Sequence, residues 1–333
     1  MQTGNKNVRL QFWIAVASAV LLAAKFVAHL LTGSVAILTD ALESIVNVAA
    51  AFIGLYSIYI AALPRDKNHP YGHGKAEFVS AAVEGTLIAS AGALIFYKGI
   101  KSFLEPVPLQ QLDVGGWLIA GTALANWLLG FFAERRGVKT GSLALTSSGK
   151  HLQTDAYSTL GIIGAIILIY LTGWRWLDGA VALLFAVFIM YTGYQILRQS
   201  LAGIMDEADV QLLNRMVDLL NRSRRQNWVD LHNLRVIKYG AVLHVDCHLT
   251  VPWYLNVAEA HNEIDALSTI IKKDFGQSLE LFVHSDGCKY FQCPICNKQD
   301  CPVRKHPFEK ELRWTAENIL QNEKHHQEQA LEV

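Results

Sequence analysis

Up to Met205 the chain runs in long apolar stretches broken by short polar ones, and beyond it the apolar positions thin out and begin to alternate. Six stretches stand out: Val8–Leu31, Ser34–Ala62, Ala76–Tyr97, Val114–Ala133, Ser142–Leu171 and Leu177–Leu197. Each holds about 20 residues or more, which at roughly 1.5 Å per residue crosses a hydrocarbon core of about 30 Å. A segment surrounded by lipid must satisfy its own backbone hydrogen bonds, so all six are predicted to be helices. The first is too long for a signal peptide and has no small-residue cleavage site before the next span, so it counts as a helix.

From Asp206 the pattern is that of a small water-exposed domain. It predicts a helix at 208–222, strands at 231–238 and 242–250 around Tyr239-Gly240, a helix at 256–274 and a strand at 279–284. The fold class is an all-α six-helix membrane bundle followed by an α+β cytosolic domain of order α-β-β-α-β. Three segments follow: 1–205, 206–287, and a tail at 288–333 that is rich in cysteine and ends in a polar, solvated helix over Pro307–Val333.

Composition nearly conceals this division. The 333 residues are 52% hydrophobic and 17% charged, with a formal net charge of zero. Residues 1–205 carry 14 basic and 10 acidic side chains and residues 206–333 carry 15 and 19, so the zero is +4 against −4. A single soluble domain, a disordered chain and a nucleic-acid binder are excluded, the last because no basic field exists. With a cytosolic N-terminus, the inner flanks hold Lys6, Arg9, Arg65, Lys67, Lys75, Arg135, Arg136, Lys139 and Arg198, and the outer loops only Lys98, Lys101 and Arg175. That excess places both termini in the cytosol.

The second and fifth spans repeat each other at an offset of 108 residues: Gly33-Ser34-Val35-Ala36 aligns with Gly141-Ser142-Leu143-Ala144. The same register aligns Glu43 with His151 and Asn47 with Asp155. Within each helix the two polar residues lie four apart, on one face. Transporter repeats tend to build their site at the repeat interface near the membrane midplane. Glu43, Asn47, His151 and Asp155 therefore make a four-coordinate cation site, with Asp40 as a candidate fifth ligand or outer-sphere group. The alternative is that these groups bond only each other and hold the helices together. Glu77 and Glu84 are open between proton handling and structural pairing.

Two further sets have metal-ligand chemistry. Asp66, His69 and His73 put a carboxylate and two imidazoles within one short loop, although a polar turn with ordinary histidines reads the same way. In the tail, Cys288, Cys293, Cys296 and Cys301 surround a Cys-x₂-Cys core. Cytosolic thiols stay reduced, so a tetrathiolate site fits better than a disulfide knot, with Zn²⁺ first and an iron–sulfur cluster second. The domain between them is dense in ligands (His232, His244, His248, His261, His284, Asp246 and Asp286), whereas Cys247 reads as core. Lys75 and Asp206 could form a salt bridge at the junction of membrane and cytosolic domains. An exposed pair is worth only about 0–1 kcal/mol, so its importance would lie in its position.

The run Asp66-x-x-His69-Pro70-Tyr71-Gly72-His73-Gly74-Lys75-Ala76-Glu77, with the His151-x-x-x-Asp155 pair, resembles the cation diffusion facilitator family of divalent-metal/proton antiporters over roughly residues 8–287. The resemblance implies a homodimer in the cytoplasmic (inner) membrane with an alternating-access transport site. It also implies a metallochaperone-like cytosolic domain that senses metal and pairs across the dimer, with His232, His248, His261, His284 and Asp286 where the regulatory sites lie. Its members move Zn²⁺, Fe²⁺, Mn²⁺, Co²⁺, Ni²⁺ or Cd²⁺ out of the cytosol, mostly against protons. This chain departs from the pattern at Glu43 (Asp or His in the family), at Asn47 (Asp in the family) and in carrying Lys150 beside His151. Zn²⁺ or another divalent metal is thus expected as substrate and regulator, with one imidazole, two carboxylates and an amide standing between nitrogen-preferring and oxygen-preferring metals. The alternative function is a membrane-tethered metal sensor that transports nothing. Nothing resembles a nucleophile–base set or a nucleotide loop, so no enzymatic activity is expected.

Overall fold

The computed structural model describes residues 2–32, 35–104, 113–172, 176–240, 242–276 and 279–326, with side chains over most of those ranges. The chain divides into two compact units, Met1–Met205 and Asp206–Val333, each described by itself.

The first unit contains the helices α1 (Gln2–Thr32), α2 (Val35–Ala61), α3 (Ala76–Leu104), α4 (Asp113–Thr140), α5 (Leu143–Thr172) and α6 (Trp176–Ile204). Among the described residues, two stretches are long and apolar enough to cross a membrane by length and composition, Lys6–Val27 and Ala76–Lys101, and Val48–Ala61 is a shorter apolar segment. The helices pack chiefly as the pairs α3–α6, α4–α5 and α1–α2, and α5 also touches α2 and α3. Glycines permit the closest approaches. A Cβ at Gly85 would sit 2.9 Å from the carbonyl oxygen of Gly193, and one at Gly130 would sit 2.7 Å from that of Gly149. Where lipid supplies no hydrophobic drive between helices, such close backbone packing takes its place.

The second unit is built on a mixed three-stranded sheet. The strands β1 (Asp230–Tyr239) and β2 (Val242–Val251) pair antiparallel, and β3 (Glu280–Gly287) joins β2 in parallel. The helices α7 (Val210–Arg222) and α8 (Val257–Phe275) complete it. Both start on a side-chain cap: Asp209 accepts the Leu212 N–H at 2.9 Å, and Asn256 and Glu259 form a reciprocal capping box. Leu213, Met216, Val217 and Leu220 of α7 and Leu267 and Ile271 of α8 bury against Leu231, Val245, Leu249 and Val251 of the sheet. The carboxylate of Glu263, buried on α8, is satisfied by Arg225, Asn227 and Trp228 at 2.8, 2.8 and 2.9 Å.

The tail corrects the sequence reading. Residues 307–326 form turns and irregular backbone instead of a solvated helix. Leu312, Trp314 and Ile319 are buried in the same core as α7 and β1. The segment also runs along β1, where the N–H groups of Asn233 and Leu234 donate to the carbonyls of Gln321 and Ile319 at 2.8 and 2.9 Å. This docking coincides with a bulge between His232 and Arg235, where Asn233 takes φ 53. The helical signal of Glu309, Glu311, Arg313 and Glu317 loses to the burial of the apolar residues between and beyond them.

Candidate functional site

In the membrane unit the described ligands lie on α5. His151 is buried and Asp155, one turn on, is half-buried. His151 lines a small cavity with Ser148 and Leu152 of α5, Ala50 and Ala51 of α2, and Ile14 of α1. Ala50 and Ala51 fall one helical turn after Asn47. The side chains of Asp40, Glu43 and Asn47 lie outside the described residues.

Around that cavity runs a seam of buried polar groups. Ser147 and Ser148 donate to the two carboxylate oxygens of Glu84 on α3, at 2.6 and 3.1 Å. Gln11 of α1 donates to Ser148 Oγ and to the carbonyl of Ala51, both at 3.1 Å. Two turns before Glu84, Glu77 accepts from Ser142 at 2.5 Å. Both acids thus accept hydrogen bonds from serines, Ser142 just before α5 and Ser147 and Ser148 within it. Lys25 is likewise buried, with its ammonium on Ser44 at 2.7 Å.

The loop set converges. His69 Nδ1 lies 3.1 Å from Asp66 Oδ1, and His73 Nε2 lies 3.4 Å from Oδ2. The two rings are 4.3 Å apart. Gly72 makes the turn possible with φ 96. The backbone N–H groups of His69 and Asn68, with the His69 ring, hold the Asp66 carboxyl below its ordinary value. Lys75, after this loop, donates to the Ile204 carbonyl at 3.5 Å.

In the cytosolic unit, strand register forms a second cluster. His232 pairs opposite His248, and His248 opposite His284, so one histidine from each strand falls in a single row. Asp286 Oδ2 lies 3.6 Å from His232 Nε2 and 3.4 Å from His248 Nδ1. The amide of Asn233, at the bulge, reaches His248 Nε2 at 3.2 Å and orients that ring. Burial holds His232 below its ordinary value, which keeps its nitrogens available as ligands. His284 stands 3.8 Å from Asp286 Oδ1 and is exposed. His261 is exposed on α8 and faces Asp265 at 3.8 Å, so this chain does not bring it into the cluster. His244 is buried beside Glu280 at 3.2 Å.

Among the described residues, two groups bring three ligand atoms within 4.8 Å of one another: Asp66, His69 and His73, and His232, His248 and Asp286. The tail cysteines are not gathered to that degree, and all five cysteines of the chain are free thiols. Their loop is nonetheless shaped. Cys296 N–H turns back onto the Cys293 carbonyl at 3.3 Å, and Arg304 donates to the carbonyls of Cys293, Cys296 and Lys298 at 2.8, 3.0 and 2.7 Å. Burial raises the Cys288 and Cys296 thiols, and pushes the core thiol Cys247 up to about 12. Sequence reasoning missed Asp230. It is fully buried beside His232 Nδ1 at 3.6 Å and bonded to His325 Nδ1 at 2.6 Å, a pairing across 95 residues that no local pattern announces.

Comparison with known proteins places these features in a common frame. Residues 12–205 match the cation efflux transmembrane domain, and residues 211–288 match the cytoplasmic domain of cation efflux proteins. The chain is 35% identical over 248 residues to an uncharacterized transporter of Synechocystis sp., covering 74% of this chain and 80% of that one. It is 26% identical to the cation-efflux pump FieF of Shewanella oneidensis (83% of this chain, 94% of that one) and 28% identical to FieF of Pectobacterium atrosepticum (77% and 84%). A helical transmembrane domain followed by a small mixed-sheet cytoplasmic domain defines a membrane protein of the cation efflux class. The chain belongs to the cation diffusion facilitator family.

Proposed function

We propose that the protein is an efflux transporter for divalent transition-metal cations of the Zn/Fe/Co/Mn class, exchanging metal for protons by alternating access. The substrate site is Glu43, Asn47, His151 and Asp155, with Asp40 as a candidate fifth ligand. One observation carries this reading: the two repeat helices, α2 and α5, touch, and the cavity lined by His151 is closed on the α2 side by Ala50 and Ala51. Relatives named as cation-efflux pumps support it, and favour transport over a tethered sensor.

The exchange follows from ligand chemistry. A metal binds only deprotonated carboxylates and a neutral imidazole, so loading from the cytosol expels protons, and protons arriving from the other side expel metal. An imidazole has a reference pKa near 6.5, within the physiological range. The Asp66, His69 and His73 loop would hold a second ion. His232, His248, His284 and Asp286 would hold a regulatory ion in the cytosolic domain, with His261 contributing outside the cluster of one chain. Four thiols are the donor set of a structural zinc, and Cys288, Cys293, Cys296 and Cys301 would hold it after drawing closer together.

The architecture proposed is a homodimer in the inner membrane, six spans per chain, both termini cytosolic, with a transport domain at 1–205, a sensing and dimerisation domain at 206–287 and a tail at 288–333. The Lys75–Asp206 pair is proposed at the junction. The test is metal-driven proton flux in proteoliposomes across Zn²⁺, Fe²⁺, Co²⁺ and Mn²⁺. His151→Ala and Asp155→Ala should each abolish it, and flux that survives both refutes the assignment.

A further inference from the structure

Lys324 belongs to none of these ligand sets, yet its ammonium lies on one of them. Asp286 is the one carboxylate of the His232–His248–Asp286 cluster. Its Oδ2 faces the two imidazoles, while its Oδ1 takes Lys324 Nζ at 3.1 Å. The same ammonium donates to the carbonyl of Gly287, the last residue of β3, at 2.9 Å.

The lysine is held there by its flanks. Before it, Ile319 and Gln321 are bonded to the backbone of β1. After it, His325 is fully buried, with its N–H on Asp230 Oδ2 at 2.9 Å and its ring between Asp230 and the Asn318 carbonyl at 2.6 and 3.0 Å. Anchors on both sides leave the Lys324 side chain little choice of direction. The tail thus delivers one fixed positive charge to the only anionic ligand of the cluster.

We propose that Lys324 is a tethered cation that competes with metal for Asp286, so that the C-terminal segment sets the metal concentration at which the His232–His248–Asp286 site fills. The proposal rests on that cluster being a metal site. A carboxylate already paired with an ammonium is a weaker ligand, and the ammonium repels an arriving dication at short range. A lysine that merely clasped the strand would have the opposite effect on binding: its removal would loosen Asp286 and weaken the site. The sign of the change therefore separates the two roles.

The experiment is Zn²⁺ titration of the full-length protein in detergent against a chromophoric chelator, for the parent, Lys324→Gln, Lys324→Met and Lys324→Arg. Each is repeated in a His232→Ala/His248→Ala background, which removes this site and leaves the others, so that the difference reads this site alone. Lys324→Gln and Lys324→Met should each tighten it about tenfold, equivalent to about 1.4 kcal/mol, and Lys324→Arg should stay near the parent. Unchanged or weaker binding in both neutral variants, with the difference signal present, overturns the proposal. Absence of any difference signal in the parent sinks the metal-site reading itself, and the proposal with it.

Discussion

Trp314→Ala tests whether the tail is a structural part of the cytosolic unit. Trp314 is 1% exposed and lies in one core with Leu213, Met216 and Leu220 of α7. The Arg224 guanidinium stacks 4.1 Å from its ring centroid and also donates to the carbonyls of Leu312, Trp228 and Val229 at 2.5, 3.2 and 2.7 Å. Asn221 bonds the Trp314 backbone in both directions, at 2.8 and 3.1 Å. Truncating a buried aromatic side chain to alanine costs about 3–5 kcal/mol. Loss of the desolvated cation–π contact, about 2 kcal/mol, overlaps with that figure and does not add to it in full. The assay is hydrogen exchange of the full-length protein in detergent, read at α7 and β1. If those amides exchange through opening of the whole unit, a loss of 3–5 kcal/mol speeds them roughly 150- to 5,000-fold. Amides of α3 and α6, in the other unit, are the internal control and should not change. Acceleration of α7 by less than about tenfold would show the tail to be an appendage rather than core.

Two further expectations concern packing and charge. A Cβ at Gly193 would sit 2.6 Å from the Ala89 nitrogen and 2.7 Å from the Gly85 oxygen, whereas one at Gly121 meets nothing within 4 Å. Gly193→Ala should therefore cost about 1–3 kcal/mol and lower the thermal midpoint in detergent, while Gly121→Ala leaves it nearly unchanged. The carboxyl of Asp209 is raised by burial, but its bonds to Lys238 and to the α7 N-terminus outweigh this and hold it below its ordinary 3.8. A depressed carboxylate stabilises the fold above its unfolded value and loses that contribution as pH falls through the folded one. Asp209→Asn should accordingly flatten the acid limb of the stability curve of the cytosolic unit below about pH 4, measured by circular dichroism against pH.

Much of this was legible because the signals were local. The apolar alternation and the Tyr239-Gly240 turn placed the two helices and three strands between 206 and 287 within a few residues. The row of His232, His248 and His284 follows once the strands pair in that register, since period-two alternation puts alternate residues on one face. What escaped was non-local. Trp314, Ile319 and His325 are spaced with no helical or strand period, and their partners, Arg224, Asn221 and Asp230, lie far away in sequence. Leu312, Trp314 and Ile319 in a charged segment were the available hint that it had somewhere apolar to go.

The membrane unit shows why its polar residues cluster as they do. On α5, Ser147, Ser148, His151 and Asp155 fall within an arc of about 100° at 3.6 residues per turn. Its serines meet Glu84 of α3 and Gln11 of α1, and Gln11 in turn donates to the Ala51 carbonyl of α2. A lone carboxylate buried in a low-dielectric interior costs several kcal/mol unless hydrogen bonds replace its water. For Glu84 two serine hydroxyls supply them, and one of these, Ser148, shares its cavity with His151. On the proposed function, His151 would hold its cation beside this same hydrogen-bonded seam. In that seam α1, α2, α3 and α5 each contribute a hydrogen-bonding group, and His151 of the proposed transport site lines the cavity within it.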